Sequence, residues 1–228
     1  MLVALAVGGL SLGAIRGQEQ NWRDPAAFIA LRLGAVAALL VPIVMARARN
    51  PLVPLDLFRS RNFAVTNLST LLIYGALYVS SYYLGLFMQG VLGYTAAAAG
   101  LAGLPTSVFL ILLSSRFGAM AARHGPRLFM TVGPLLMAAG LLWFARIPAD
   151  SAAWVLSPSD PGSLLPPTDY LVDLLAGYLV YGLGVAVMVA PLTTALMASV
   201  PARNAGLGSA INNAISRVGP QLAGAAIF

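Results

Sequence analysis

Cysteine and lysine are both absent from the 228 residues, histidine occurs once, and charged residues make up only 9% of the chain. Without cysteine there is no disulfide framework, no thiolate metal site and no cysteine nucleophile, and the redox compartment stays open. Without lysine neither a Walker phosphate loop nor a lysine Schiff base can be built, which also removes a retinal-binding seven-helix protein. The single histidine, His124, sits among arginines between two apolar runs. It cannot assemble a multi-histidine metal site or an intramembrane serine–histidine pair, so it reads as a loop residue. Gly182 and Gly184 could pass for half of a dinucleotide fingerprint, but no ribose-binding acid follows, and close helix packing explains them better. Asp173 has no second aspartate facing it from another span, which leaves paired-carboxylate chemistry without its pair. These absences argue against an enzyme, and they leave no metal site.

What is present is apolar. Hydrophobic residues make up 59% of the chain, against about 45–50% apolar and about 25% charged in soluble domains. So few charges cannot cover a water-facing surface. The net charge of +6 comes entirely from arginine, and most arginines flank apolar runs. That is the placement of cytoplasmic membrane loops rather than of a nucleic-acid interface. The apolar stretch Met1–Ile15 has no basic segment ahead of it, so it is not a secretory signal. It is short for a crossing that needs about 20 residues.

Charge-poor runs of spanning length fall at 26–46, 63–88, 96–117, 127–146, 170–198 and 205–228, making about seven spans with the short first one. Backbone amides in lipid must bond internally, so each run is expected to be a helix, and the fold an all-α polytopic transmembrane bundle. Pro191 should kink the long run 170–198 or mark where it leaves the membrane. Arg47–Arg61, with Pro51 and Pro54, reads as an interfacial linker, and the proline-rich stretch Ile147–Thr168 as an extramembrane loop. Eight arginines, from Arg47 through Arg203, fall on one set of alternate loops. They make that side cytoplasmic, placing Met1 inside and Phe228 outside. Both ends are apolar, so the chain reads as truncated at both.

Arg217 is the one ionisable residue near the middle of a span. It must face the bundle interior or a water-filled cavity. It serves either a proton or substrate path or a structural contact to backbone carbonyls. Asn67, Thr70, Tyr74, Tyr78 and Ser81 recur at three- and four-residue spacing and share one helical face. Such a stripe either lines a substrate cavity or bonds helices together. Asn212, Asn213 and Gln221 are further candidates of this kind. Asp173 and Arg32 lie close to span ends, where solvation is easy.

The loop from Gly118 to Arg127 resembles the signature of the major facilitator superfamily, Gly-x-x-x-Asp-Arg-x-Gly-Arg-Arg/Lys. Gly118, Arg123, Gly125 and Arg127 match it, while Ala122 stands at the family aspartate and Pro126 replaces an arginine. Such degenerate copies are usual in the C-terminal half of the family. Asn50–Phe63, Phe87–Tyr94 with Ala99–Pro105, and Ala205–Pro220 are similar to segments of the fourteen-span drug/proton antiporters, the EmrB/QacA-like group. The resemblance implies three parts: 1–46 as the two extra central helices, the first truncated; 47–62 as a cytoplasmic linker; and 63–228 as five of the six helices of the C-terminal bundle. It further implies proton-coupled multidrug efflux of amphipathic, often cationic, compounds by alternating access. The proton gradient would supply the energy without any cofactor. The partners implied are the lipid bilayer, small amphipathic molecules and a missing N-terminal six-helix bundle, with no nucleic acid; the location implied is the cell membrane, in bacteria the inner membrane. A non-transporting membrane protein, either a seven-helix receptor-like module or a half-transporter assembly partner, is the alternative.

Overall fold

Each apolar run becomes a helix in the computed structural model, which describes residues 2–47, 56–157 and 159–227. The central part of the expected linker, with Arg49, Pro51 and Pro54, lies outside the described residues, as does the side chain of Gln221. In chain order the α-helices are α1 (Leu2–Glu19), α2 (Pro25–Arg47), α3 (Asp56–Arg59), α4 (Arg61–Gly90), α5 (Ala96–Ala102), α6 (Leu104–His124), α7 (Arg127–Phe144), α8 (Leu175–Ala198) and α9 (Ala205–Ile227). No strand occurs among the described residues.

Among the described residues four helical stretches are long and apolar enough to cross a membrane: Arg61–Gly90, Ala96–His124, Arg127–Phe144 and Tyr170–Ala198. Shorter apolar stretches cover Ala4–Gly17 and Pro25–Val41. The last expected run is the 23-residue α9, which carries Asn212, Asn213 and Arg217 and is not among the four. Large apolar side chains stand on the outside of these helices, with Leu39 72%, Ile111 77% and Leu142 70% exposed. In water such a surface would associate, whereas in a bilayer it faces lipid. The fold is therefore an all-α membrane helix bundle.

Residues 1–79 and 196–228 form one compact unit and residues 80–195 another. In the first, α1 and α2 make a hairpin whose backbones touch at glycines. A Cβ added to Gly9 would stand 2.8 Å from the Gly34 Cα, and one added to Gly34 would stand 2.5 Å from the Leu10 nitrogen. Small residues at such contacts let helices gain dispersion energy without a hydrophobic drive between them. Asp24 opens α2 by accepting the Ala26 N–H at 2.9 Å. Leu57, Phe63, Leu196, Val200 and Ile211 form a buried cluster near the ends of α3, α4 and α8 and the start of α9.

The second unit is held in the same way. Cβ atoms placed on Gly133, Gly140 and Gly184 would all come within 2.7 Å of atoms of the facing helix, Met188, Tyr181 and Met137 respectively. One on Gly182 would meet the Thr106 Cα at 2.7 Å. The Gly182–Gly184 pair is thus a helix-packing feature. Ala121, Phe129 and Val187 form the core cluster here. The run expected as one span over 96–117 lies within one helical stretch of membrane-crossing length, Ala96–His124, in which the single residue Gly103 separates α5 from α6, with Pro105 in the first turn of α6. The expected span 170–198 opens with a wide turn, Tyr170–Leu174, in which the Leu175 N–H bonds the Tyr170 carbonyl, and α8 then runs on through Pro191.

The proline-rich connection between α7 and α8 is ordered rather than open. Ser151 is buried and donates its hydroxyl to the Asp173 carboxylate at 2.9 Å. The Ala152 N–H donates to the Asp169 carboxylate at 2.8 Å. Trp154, also buried, donates its indole N–H to the Ser163 carbonyl at 2.9 Å, and its ring lies 5.3 Å from that of Tyr170. The Thr95 N–H donates to the Trp154 carbonyl, and the Thr95 hydroxyl accepts from the Leu156 N–H, both at 3.2 Å. The loop is therefore tied to the start of α5 and to the turn that leads into α8.

Candidate functional site

The polar stripe of α4 divides along its length. Asn67 and Thr70 are buried, and Asn212 of α9 donates its side-chain amide to both, at 3.2 Å and 2.7 Å. Each also bonds its own helix, Asn67 to the Phe63 carbonyl at 2.9 Å and Thr70 to the Thr66 carbonyl at 3.0 Å. The Thr70 hydroxyl thus receives one proton and gives one, and this part of the stripe bonds helix to helix. Tyr74 is half-buried, Tyr78 is 52% exposed, and Ser81 lines a cavity described below.

On α9, Asn213 and Arg217 stand apart from Asn212. Gly206, Ala210, Asn213 and Arg217 follow one another at three- and four-residue intervals, and all four are exposed. The opposite side of the helix is packed, with Ile211 buried and a Gly219 Cβ position only 2.7 Å from the Leu71 carbonyl oxygen. Arg217 has no hydrogen-bond or ion-pair partner among the described residues.

Within the 80–195 unit lies a cavity of about 420 Å³. Its polar atoms come from Ser80, Ser81, Gln89, Thr106, Ser107 and Tyr181. Its apolar wall includes Leu84, Met88, Leu141, Phe144 and Tyr178. Ser80 shares a 3.0 Å hydrogen bond with the Tyr181 hydroxyl, and the Tyr178 hydroxyl donates to the Met88 sulfur at 3.4 Å. Gly85, Gly100 and Gly103 are among its lining. A Cβ on Gly85 or Gly100 would meet nothing within 4 Å, in contrast to the tightly opposed glycines of α7 and α8. Of these lining residues the sequence pattern singled out Ser81 alone. Tyr178 and Tyr181 lie in so apolar a run that nothing marked them but their hydroxyls.

The loop from Gly118 to Arg127 has a clear backbone logic. Gly125 follows α6 at φ 88° and ψ 148°, a conformation essentially reserved for glycine. Gly118 lets α6 approach α8, since a Cβ there would stand 3.1 Å from the Ala190 Cβ. Arg123 and Arg127 are exposed, and His124 bonds the Met120 carbonyl at 3.1 Å within its own helix.

Near the α7–α8 loop, Tyr94 is buried and its hydroxyl has no hydrogen-bond partner among the described residues. Burial raises its pKa above the ordinary tyrosine value, and the Asp169 and Asp173 carboxylates raise it further. The polar groups of this region hold the loop in place. No group of three or more His, Cys, Asp or Glu residues placed to hold a metal occurs among the described residues.

Residues 1–224 match the family model of the Major Facilitator Superfamily. The chain is 31% identical over 214 residues to the multidrug export protein EmrB of Haemophilus influenzae, covering 93% of this chain and 39% of that protein. It is 29% identical over 219 residues to the multidrug resistance protein Stp of Mycobacterium tuberculosis, covering 96% and 37%. It is 27% identical over 219 residues to the methylenomycin A resistance protein of Streptomyces coelicolor, covering 96% and 42%. The chain therefore spans about two fifths of the length of the curated relatives it matches.

Proposed function

The chain belongs to the Major Facilitator Superfamily, and from that premise we propose that it acts as the C-terminal part of a proton-coupled multidrug exporter. Its membership makes it part of a transporter rather than an enzyme, in a multi-pass membrane protein. Export of drugs in exchange for protons is the activity that the named relatives and the exposed face of α9 support best.

The observation that carries this reading is the position of Arg217. It lies near the middle of α9, it is exposed, and Asn213 sits one turn before it on the same face. A charge at that depth costs at least about 2.5–3.5 kcal/mol against lipid, so the face must meet water or protein in the working transporter. In alternating access the path lies near the midplane between repeats that rock against each other. The face bearing Asn213 and Arg217 supplies one wall of that path in this proposal, and an N-terminal six-helix bundle supplies the other. Substrates are small amphipathic molecules, the energy source is the proton gradient, and the location is the bacterial inner membrane.

The test is expression in a drug-hypersensitive bacterial host, comparing the 228 residues alone with the same residues joined behind the N-terminal part of Haemophilus influenzae EmrB. The joined protein should lower the accumulation of aromatic drugs, charged and uncharged, and a protonophore should restore it. Proton-dependent efflux by the 228 residues alone would contradict the proposal.

A further inference from the structure

We infer that the cavity of the 80–195 unit is a binding site for an uncharged, flat aromatic molecule carrying hydrogen-bonding groups, and that it discriminates against organic cations. The inference rests on the transport reading only for its purpose; the site itself is built entirely by residues of one compact unit.

Size and shape come first. About 420 Å³ falls within the roughly 300–1,000 Å³ typical of sites for drug-sized ligands. Gly85 and Gly100 open two stretches of wall, and Gly103 a third, where an added Cβ would find its nearest neighbour, the Gly100 carbonyl oxygen, 3.6 Å away. Phe144 and Tyr178 meet edge to face with ring centroids 5.0 Å apart, so the wall is both aromatic and fixed. Aromatic ligands gain most from such walls through offset and edge contacts.

Charge decides the class. No aspartate, glutamate, arginine or histidine lines the cavity. The carboxylates that come closest to the lining in sequence, Asp173 and Asp150, are not part of it, nor is Asp169; Asp173 accepts from the Ser151 hydroxyl, Asp169 from the Ala152 N–H, and Asp150 is exposed. A cation drawn out of water into this space meets no counter-charge, and ring faces return only part of its hydration. An uncharged ligand pays no such penalty and finds hydrogen-bonding groups. The Ser81 and Ser107 hydroxyls have no partner among the described residues. The Gln89 amide spends one N–H on the Gly85 carbonyl at 3.3 Å, which leaves its carbonyl oxygen to accept. Thr106 makes only a long 3.5 Å bond to the Tyr178 carbonyl.

The matched probes are acridone, uncharged with one N–H and one carbonyl, and N-methylacridinium, a tricyclic cation of similar size. Binding of each to the purified 228-residue chain in lipid nanodiscs is read by fluorescence, with empty nanodiscs subtracting partition into lipid. Acridone should bind saturably and at least tenfold more tightly than N-methylacridinium. Gly100→Leu, whose Cβ meets no atom within 4 Å and whose larger side chain adds bulk to the lining, should weaken acridone at least tenfold while helix content by circular dichroism stays the same. Gly85→Leu, from another stretch of wall, should do likewise and serves if the first variant does not fold. Equal or tighter binding of the cation, or acridone binding unchanged in a folded cavity-filling variant, overturns the inference. Because no transport is measured, acridone binding by a chain whose joined form exports nothing would sink the transport reading and leave the cavity assignment standing.

Discussion

The Asn212 side-chain amide donates to the Thr70 hydroxyl at 2.7 Å, joining α9 to α4 at a point where Thr70 is wholly buried. The same amide reaches the Asn67 carbonyl oxygen at 3.2 Å. Replacing Asn212 with leucine removes both bonds and leaves the Asn67 oxygen without its cross-helix donor. Polar contacts between membrane helices are worth about 0.6 kcal/mol each on average and at most about 1.7. Asn212→Leu should therefore lower stability by about 1–2 kcal/mol in an unfolding titration. In a double-mutant cycle with Thr70→Val the losses should be less than additive, because both variants break one bond.

The glycines should fall into two classes under substitution. Gly140→Ala and Gly184→Ala each drive a Cβ to within 2.6 Å of the facing helix, at Tyr181 and Met137. Overpacking of that kind costs about 1–3 kcal/mol. Gly85→Ala and Gly100→Ala place the same methyl in open space and should leave the melting temperature unchanged or slightly raised, since alanine also favours the helix. Thermal unfolding of the four variants in one detergent makes the comparison.

Gly125 tests the turn after α6. At φ 88° and ψ 148° an alanine is strained regardless of the open space around it, and the expected loss for Gly125→Ala is about 1–3 kcal/mol. Arg123→Ala, an exposed neighbour with no partner among the described residues, should change stability by less than about 0.5 kcal/mol.

Tyr94 carries a buried hydroxyl that no group among the described residues satisfies. Tyr94→Phe removes that unmet group, so the melting temperature should hold or rise, opposite to the usual effect of a core substitution. The pH dependence has a definite sign. The folded-state pKa is raised above 10.0, so the contribution is complete below that value and is lost as pH climbs from there through the folded pKa. The phenylalanine variant should lose less stability between pH 9 and pH 11 than the parent chain.

These residues also mark what the sequence could reveal. Apolar run length located the helices because lipid leaves backbone amides no other partner, and a Gly-x-Gly in such a run could be assigned to close packing for the same reason. Periodicity placed Asn67, Thr70, Tyr74, Tyr78 and Ser81 on one face, but it could not say what that face meets. Asn67 and Thr70 meet Asn212, more than 140 positions away in the chain, whereas Ser81 meets a cavity. The proline-rich stretch was legible as a loop and not as an ordered one. Its order comes from Trp154 on Tyr170 and Ser151 on Asp173, pairings that no local pattern encodes. The break at Gly103 was hidden inside an apolar run of otherwise suitable length. The cavity was hidden most completely, since its walls are the serines, glycines and tyrosines that any membrane helix contains.

Proton exchange is the most direct measure of the account as a whole. Everted membrane vesicles bearing this chain joined behind the N-terminal part of Haemophilus influenzae EmrB would be energised to an acid interior, and their pH gradient followed by fluorescence quenching. Added drug should dissipate part of the gradient, and Arg217→Ala should abolish that response while the protein remains in the membrane at the parent level. Drug accumulation in the vesicles with no loss of the gradient, or an undiminished response from Arg217→Ala, would contradict the account.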